Sequence, residues 1–304
     1  IGEIMSLLNL FFSKEKNRKV SDNLKDFLTD FSIEVMPSTA SKIENFKEIL
    51  PQNTRVYIAH IEGVPIEEMV QTAKRISNEG FAVMPHFPAR IIKNKSTLEE
   101  WIKTYQDEAG IDQALLLAGG ATNPHGVFEN SMQLVETELF EKYKFKNLHF
   151  AGHPEGNKDI DHDGSSKNVD EALLWKQKFN ERTDIELAIT TQFCFEADPV
   201  IKWANSLIDN GINIPIHIGV AGPATLQTLI KFSIACGVGA SLKVLQKRAK
   251  DVKKLLLPFE PNDFLETLAK HKKENPNFNI SNIHFFPLGG INANAAWIKN
   301  ATNN

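Results

Sequence analysis

The sequence predicts an α/β protein, a closed (β/α)8 TIM barrel with extra helices between its seventh and eighth strands, and three observations lead there. Eight short apolar runs rich in Val, Ile, Leu and Phe recur along the chain, most of them followed by a stretch with helical spacing. The runs are nearly continuous in apolar residues, as parallel strands covered on both faces must be. No glycine-rich turn follows the first run, where an open dinucleotide-binding sheet would carry one, and eight alternations in about 260 residues fit a closed barrel.

Strands are expected at 31–37, 55–62, 81–86, 113–118, 147–153, 186–195, 215–220 and 283–288. Between the second and third, Pro65 opens a helix whose Ile66, Met69, Val70, Ala73 and Ile76 share one stripe, with Gly80 beyond its end. Ser96 with Glu99 three residues later reads as a capping box for the next helix. After the sixth strand, Asp198 and Pro199 start a helix carrying Ile201, Ala204, Asn205 and Ile208 to a Gly211 stop.

Between the seventh and eighth strands the rhythm breaks. The excursion 221–282 has room for helices near 224–236, 241–255 and 262–273, and no Gly/Ser/Pro linker isolates it, so 1–304 is read as a single barrel domain. Residues 1–30 form a helical extension; within it the apolar run 4–12 is too short to span a membrane and lacks a preceding positive charge, so it reads as an amphipathic helix on the barrel floor.

Composition narrows the function classes. With 304 residues, 42% of them hydrophobic and 24% charged, the chain is an ordinary globular sequence. A net charge of -4 offers no basic face for nucleic acid. Cys194 and Cys236 are the only cysteines, too few for a disulfide framework, which fits a cytoplasmic setting. Apolar helix positions leave room for a homo-oligomer, and a small molecule is the expected partner.

Active sites of such barrels lie at the carboxyl ends of the strands, and here those ends carry Glu34, His60 with Glu62, His86, Gly119-Gly120, His153 with Glu155, Gln192 and Gly289-Gly290. Glu34 sits among apolar neighbours in Ser-Ile-Glu-Val-Met-Pro, where ionisation is costly; its pKa is expected to rise, making it a proton donor near neutrality, the alternative being an interior carboxylate paired with a Lys or Arg. Gln192 offers an amide with both donor and acceptor to a flat, nitrogen-rich heterocycle, or else a hydrogen bond across the barrel. The histidines singly read as satisfied buried groups, and their shared rim is what raises them to candidates.

Metal sites read poorly. Asp159, Asp161, Asp163, Gly164 and Asp170 follow a calcium-loop spacing, with Asp where a bidentate Glu is usual and Ser166 where an apolar residue is usual, so a solvated loop is expected. His149 and His153 on one strand face stand about 13 Å apart, too far for one ion.

Six segments in order give the strand ends a family likeness: Ser-Ile-Glu-Val-Met-Pro, Met84-Pro85-His86, Leu116-Leu117-Ala118-Gly119-Gly120, Ala151-Gly152-His153-Pro154-Glu155-Gly156, Thr191-Gln192-Phe193-Cys194-Phe195 and 215–219. Together with His284-Phe285-Phe286 they resemble the methylenetetrahydrofolate reductases over residues 31–297. The resemblance implies interconversion of 5,10-methylenetetrahydrofolate and 5-methyltetrahydrofolate in one-carbon metabolism and methionine biosynthesis, with FAD and NAD(P)H as cofactors. It implies Glu34 as the general acid, Gln192, Gly120 and His60 as substrate contacts, and His86, Ala118, Gly119, His153, Glu155 and Lys178 on the flavin.

Departures gather on the flavin side. Gly119-Gly120-Ala121 stands where the family has Arg-Gly-Asp, Gln177 replaces a phosphate-binding Arg, Leu226 replaces an aromatic and Gly289-Gly290 replaces Asn-Arg. Lost phosphate and ring contacts predict that FAD is held differently or not at all, with hydride passing directly between nicotinamide and folate. No acidic ribose reader selects NADH over NADPH. Two other classes stay open: a non-catalytic folate-binding barrel, and a pterin-dependent methyltransferase, for whose cobalamin or thiol acceptor no motif is present.

Overall fold

The computed structural model describes residues 20–238, 245–246 and 258–303. All eight apolar runs are parallel strands: β1 (Ser32–Val35), β2 (Arg55–Ile58), β3 (Ala82–Pro88), β4 (Gln113–Leu117), β5 (Asn147–Gly152), β6 (Glu186–Cys194), β7 (Ile216–Ala221) and β8 (Ile280–Phe286). Each pairs with the next, and β8 closes on β1 through Ser32↔His284 and Ile33↔Phe285, completing the (β/α)8 barrel. The last strand begins three residues before the expected 283, because Ile280 already pairs with Ile216 across a register shift in β7 and β8.

The helices among the described residues are α1 (Asp22–Phe27), α2 (Pro37–Ala40), α3 (Ile66–Asn78), α4 (Lys95–Ala109), α5 (Ser131–Val135), α6 (Leu139–Lys142), α7 (Lys167–Asn180), α8 (Ala197–Asp209), α9 (Leu226–Ala235), α10 (Asn262–Glu274) and α11 (Ile291–Asn303). In α3 the expected stripe is buried at Met69, Val70, Ala73 and Ile76. The capping box at Ser96 does not form. Asn94 takes the cap, its side chain accepting from Thr97 N at 2.9 Å, so Ser96 and Glu99 fall inside α4 and Glu99 instead binds Lys142 and Tyr143.

In α8 the chain turns helical at Ala197, ahead of Asp198, and Val200, Ala204 and Leu207 are the buried stripe; Asn205 is exposed. Of the excursion's three expected helices, α9 and α10 are present and 241–255 lies almost wholly outside the described residues, as does the run 4–12. The segment α1 docks on α10 through Ser21, whose hydroxyl donates to Glu266 at 2.6 Å.

The apolar side chains divide into unequal cores. Outward strand residues such as Ile33, Val56, Val83, Leu116, Phe150, Ile218 and Phe285 join helix residues in one large layer between barrel and helices. A satellite cluster at the carboxyl end holds Phe193, Phe195, Ala221, Leu226, Leu229 and Phe259. Inside the barrel the buried apolar cluster among the described residues is small, Tyr57, Met84 and Leu115 with Leu117 against them. Small barrels usually fill that space with branched apolar side chains; here His149, Thr190, His217 and His284 fill it.

Candidate active site

Side chains on a strand alternate faces, so Ser32 and Glu34 of β1 point inward with Tyr57 of β2, His86 of β3 and His284 of β8. Glu34 Oε2 lies 3.1 Å from His86 Nε2 and 3.6 Å from His284 Nε2. Both imidazoles address the same oxygen, neither with the alignment of a full hydrogen bond. The other oxygen, Oε1, has no hydrogen-bond partner among the described residues. Glu34 is thus held through one oxygen, with its side chain 18% exposed, at the rim where chemistry is expected.

Its charge state reverses the expectation of a raised pKa. Burial does push the carboxyl upward, but the attraction of His86, then the contacts with His284 and His86, overcome it and bring the pKa down from 4.5 to about 2. The sequence context showed only apolar chain neighbours; the histidines arrive from β3 and β8. His284 is itself shifted downward, burial outweighing the pull of Glu34, so near neutrality it offers Glu34 an N–H rather than a full positive charge.

Below this group runs a polar column that strand-end reasoning missed. His284 Nδ1 lies 2.9 Å from Ser32 Oγ, Tyr57 Oη lies 2.5 Å from His149 Nδ1, and the His149 and His217 rings meet edge to face at 4.6 Å. The signal was available in principle: polar residues at period two within apolar strands, at Tyr57, His149, His217 and His284.

Gln192 faces a different place. Between β6 and β7 the register passes from Thr190↔His217 to Phe193↔Gly219, so β6 carries one extra residue. Past this bulge it is Phe193 that packs against Phe286, with ring centroids 5.5 Å apart. Gln192 lines a cleft with His153, Glu155, Asn157, Cys194 and Cys236–Val238, and Glu34 is not among its lining residues. Its Oε1 accepts from Phe193 N at 3.0 Å, leaving one oxygen lone pair and the amide N–H groups for a ligand. In the same cleft His153 is held neutral, its pKa lowered to about 4 by burial and then by the charge of Lys176.

Other predicted contacts are placed elsewhere. His60 turns out of the barrel: Nε2 donates to Val64 O at 2.9 Å and the ring stacks on Trp101 of α4, 5.1 Å away. One residue past the inward Ala59 position, strand alternation puts it on the helix side. Lys178 is exposed, while Lys176 is buried and donates to Ala151 O at 3.0 Å. Two residues are about 200° of helix, so the two lysines cannot share a face. Gln177 is engaged too, bridging Glu181 and Asn213 N.

Gly119 has φ +94°, and a Cβ there would come within 2.8 Å of Pro88 Cβ, so a packing constraint accounts for the glycine. Ala118 O accepts from Arg90 N at 2.9 Å, and Gly120 is exposed with nothing near its Cβ position. In the acidic loop, Asp161 is buried and its carboxylate accepts from Asn168 N and Val169 N at 2.9 and 3.1 Å, capping α7. Among the described residues no group of His, Cys, Asp or Glu is placed to hold a metal ion, and no helix is long and apolar enough to cross a membrane.

No protein-family model matches the chain. Among solved structures, an uncharacterized protein from Clostridium thermocellum that binds two copies of 5-methyl-5,6,7,8-tetrahydrofolic acid aligns over 92% of this chain and 98% of its own, with TM-score 0.55 and 14% identity. The likeness is one of fold. A mandelate racemase/muconate lactonizing enzyme from Bordetella bronchiseptica RB50 aligns with 85% of this chain and 53% of its own at 10% identity and TM-score 0.40.

The residues present do not fit FAD as the resemblance implies it. The lysine meant for the pyrophosphate is on the outer face of α7, the amide replacing the phosphate-binding Arg is consumed within the protein, and Lys176 is tied to the backbone of β5. A bare phosphate pair needs charge-assisted donors, which these residues do not offer.

Proposed function

We propose that the carboxyl-end mouth of this barrel binds a reduced folate and interconverts 5-methyltetrahydrofolate and 5,10-methylenetetrahydrofolate with NAD(P)H, without flavin. The observation that carries the reading is Glu34, a partly exposed carboxylate at the strand end whose Oε2 lies against His86 and His284. A folate-binding protein of the same fold supports the ligand class.

Held as a carboxylate, Glu34 serves as a base. When hydride leaves the N5-methyl group, the resulting iminium carbon bonds to N10, whose proton passes to Glu34 Oε1; the reverse reaction returns that proton to N10 as the ring opens. A bound nicotinamide would supply the hydride acceptor or donor. In place of the neutral acid expected from the sequence, the pair of imidazoles makes the ionised form the resting one.

A second reading, a folate-binding barrel without turnover, is favoured by one observation: Glu34 is not among the described residues that line the cleft of Gln192. Titration calorimetry with 5-methyltetrahydrofolate and a nicotinamide-linked turnover assay separate the two. Turnover that Glu34→Gln lowers by about 10²- to 10⁴-fold, with binding retained, supports catalysis. Binding without turnover in the unmodified protein supports the carrier reading, and absence of binding rejects both.

A further inference from the structure

At the extra residue of β6, side chains of the bulge itself take up backbone groups that a regular ladder would pair. Gly219 N–H of β7 donates to Thr191 Oγ1 at 2.8 Å, where an unbroken parallel pair would offer a strand carbonyl. Gln192 O accepts from the Thr191 hydroxyl at 2.9 Å and from the Cys194 thiol at 3.5 Å. Phe193 N–H donates to Gln192 Oε1 at 3.0 Å. Two of these contacts meet on Thr191, whose one oxygen receives from β7 and whose one proton goes to the bulge. Thr191 is 1% exposed, so water does not stand in for its hydroxyl.

The bulge decides which side chain enters the mouth. Thr190, just before it, faces the barrel interior, with Oγ1 3.3 Å from Tyr57 Oη and 3.2 Å from His149 Nδ1. Side chains alternate along a strand, so in a regular β6 Gln192 would follow Thr190 onto the inward face, opposite Gly219 and on the side of Glu34. With one extra residue it is Phe193 that stands opposite Gly219 and packs on Phe286, ring centroids 5.5 Å apart. Phe286 is partly exposed and meets His284 edge to face at 4.8 Å. At this point the mouth presents an aromatic wall, and the amide is left to the cleft.

We infer that Thr191 is a specificity-determining positioning residue: its hydroxyl locks the bulge that turns Gln192 out of the mouth and puts Phe193 in its place. Thr191 acts through these two neighbours and not on a ligand. Without the hydroxyl, Gly219 N–H would be buried and unpaired, whereas the regular register, with Gln192 opposite Gly219, returns a strand carbonyl to it. An amide would then stand in the mouth with Glu34, offering a ligand a donor and an acceptor where the locked form offers a ring. The inference concerns the register of the barrel and holds whether or not the ligand is a folate.

Thr191→Val keeps the shape of the side chain and removes its hydroxyl, while Thr191→Ser keeps the hydroxyl. In full-length protein labelled with 15N-glutamine, the Gln192 side-chain amide is assigned by its loss in Gln192→Glu and placed by its nuclear Overhauser contacts. Contacts to His153 and Val238 of the cleft are expected in the unmodified protein and in Thr191→Ser. In Thr191→Val they should be lost and replaced by contacts to Thr190 and Phe286. Any other placement of Gln192 in Thr191→Val overturns the inference, and so does loss of the cleft contacts in Thr191→Ser. Should Thr191→Val fail to fold, the unmodified protein supplies its own check: Gly219 N–H is expected to resist hydrogen exchange and to show a contact to a slowly exchanging Thr191 hydroxyl proton, and an unprotected Gly219 N–H overturns the lock.

Discussion

Glu34 of β1 and His86 of β3 meet through Oε2 and Nε2 at 3.1 Å, and this contact sets the charge of the site. Burial alone would favour a neutral carboxyl, and the imidazole reverses that preference. The first prediction follows directly. His86→Leu removes the largest lowering influence and leaves the burial, so the Glu34 midpoint, read by 13C NMR, should climb from about 2 toward or past the ordinary 4.5. In the unmodified protein the folded-state pKa is below the unfolded one, so this group's stabilisation is present above pH 4.5 and is lost as pH falls toward 2. His86→Leu should weaken that part of the acid dependence.

The buried histidines give a second pH dependence in a higher window. Burial is the main cause in each case, lowering His217 to about 3, His153 to about 4 and His149 well below 6.5. In the unfolded chain these rings bind protons near pH 6.5, whereas in the folded protein they remain neutral. Stability from them is therefore present above pH 6.5 and falls as pH drops toward 4, by up to about 1.4 kcal/mol per pH unit for each ring. Urea unfolding at successive pH values should show this slope, and His217→Leu should reduce it by about one proton. A flat profile between pH 6.5 and 4.5 would contradict the buried neutral column.

Gly219 makes the β6 bulge possible. A Cβ at this position would approach Thr191 O to 2.4 Å and Gln192 O to 2.6 Å, both rigid backbone atoms. Gly219 N–H donates to Thr191 Oγ1 at 2.8 Å, holding β7 close to β6 at this point. Gly219→Ala should cost about 1–3 kcal/mol or more and displace Gln192 from its cleft, seen as a lowered denaturant midpoint and a shifted Gln192 amide resonance. Retained stability with an unmoved resonance would show that the bulge tolerates a side chain.

The two lysines of α7 separate a resemblance from a contact. Lys178→Ala should change stability by less than about 0.5 kcal/mol, as exposed substitutions generally do, and should leave ligand affinity unchanged. Lys176→Ala should lower stability by about 1–3 kcal/mol because it removes a buried side chain and its hydrogen bond to the part-buried Ala151 O. Equal effects from both would mean that α7 is rotated relative to the barrel.

Taken by itself, the sequence determined the barrel. Apolar runs, proline starts and glycine stops are local signals, and they placed all eight strands and the stripe of α3 because each depends on residues a few positions apart. They also put Glu34, His86, Gln192 and His153 near the carboxyl ends, where chain order and strand direction suffice. Only the tertiary structure decided what those residues are: Glu34 is ionised because histidines reach it from β3 and β8, Gln192 is turned to another cleft by one extra residue in β6, and His60 and Lys178 face away from the mouth. Charge state and facing depend on groups distant in sequence, on a single bulge and on helix phase, and none of these leaves a pattern in the neighbouring residues.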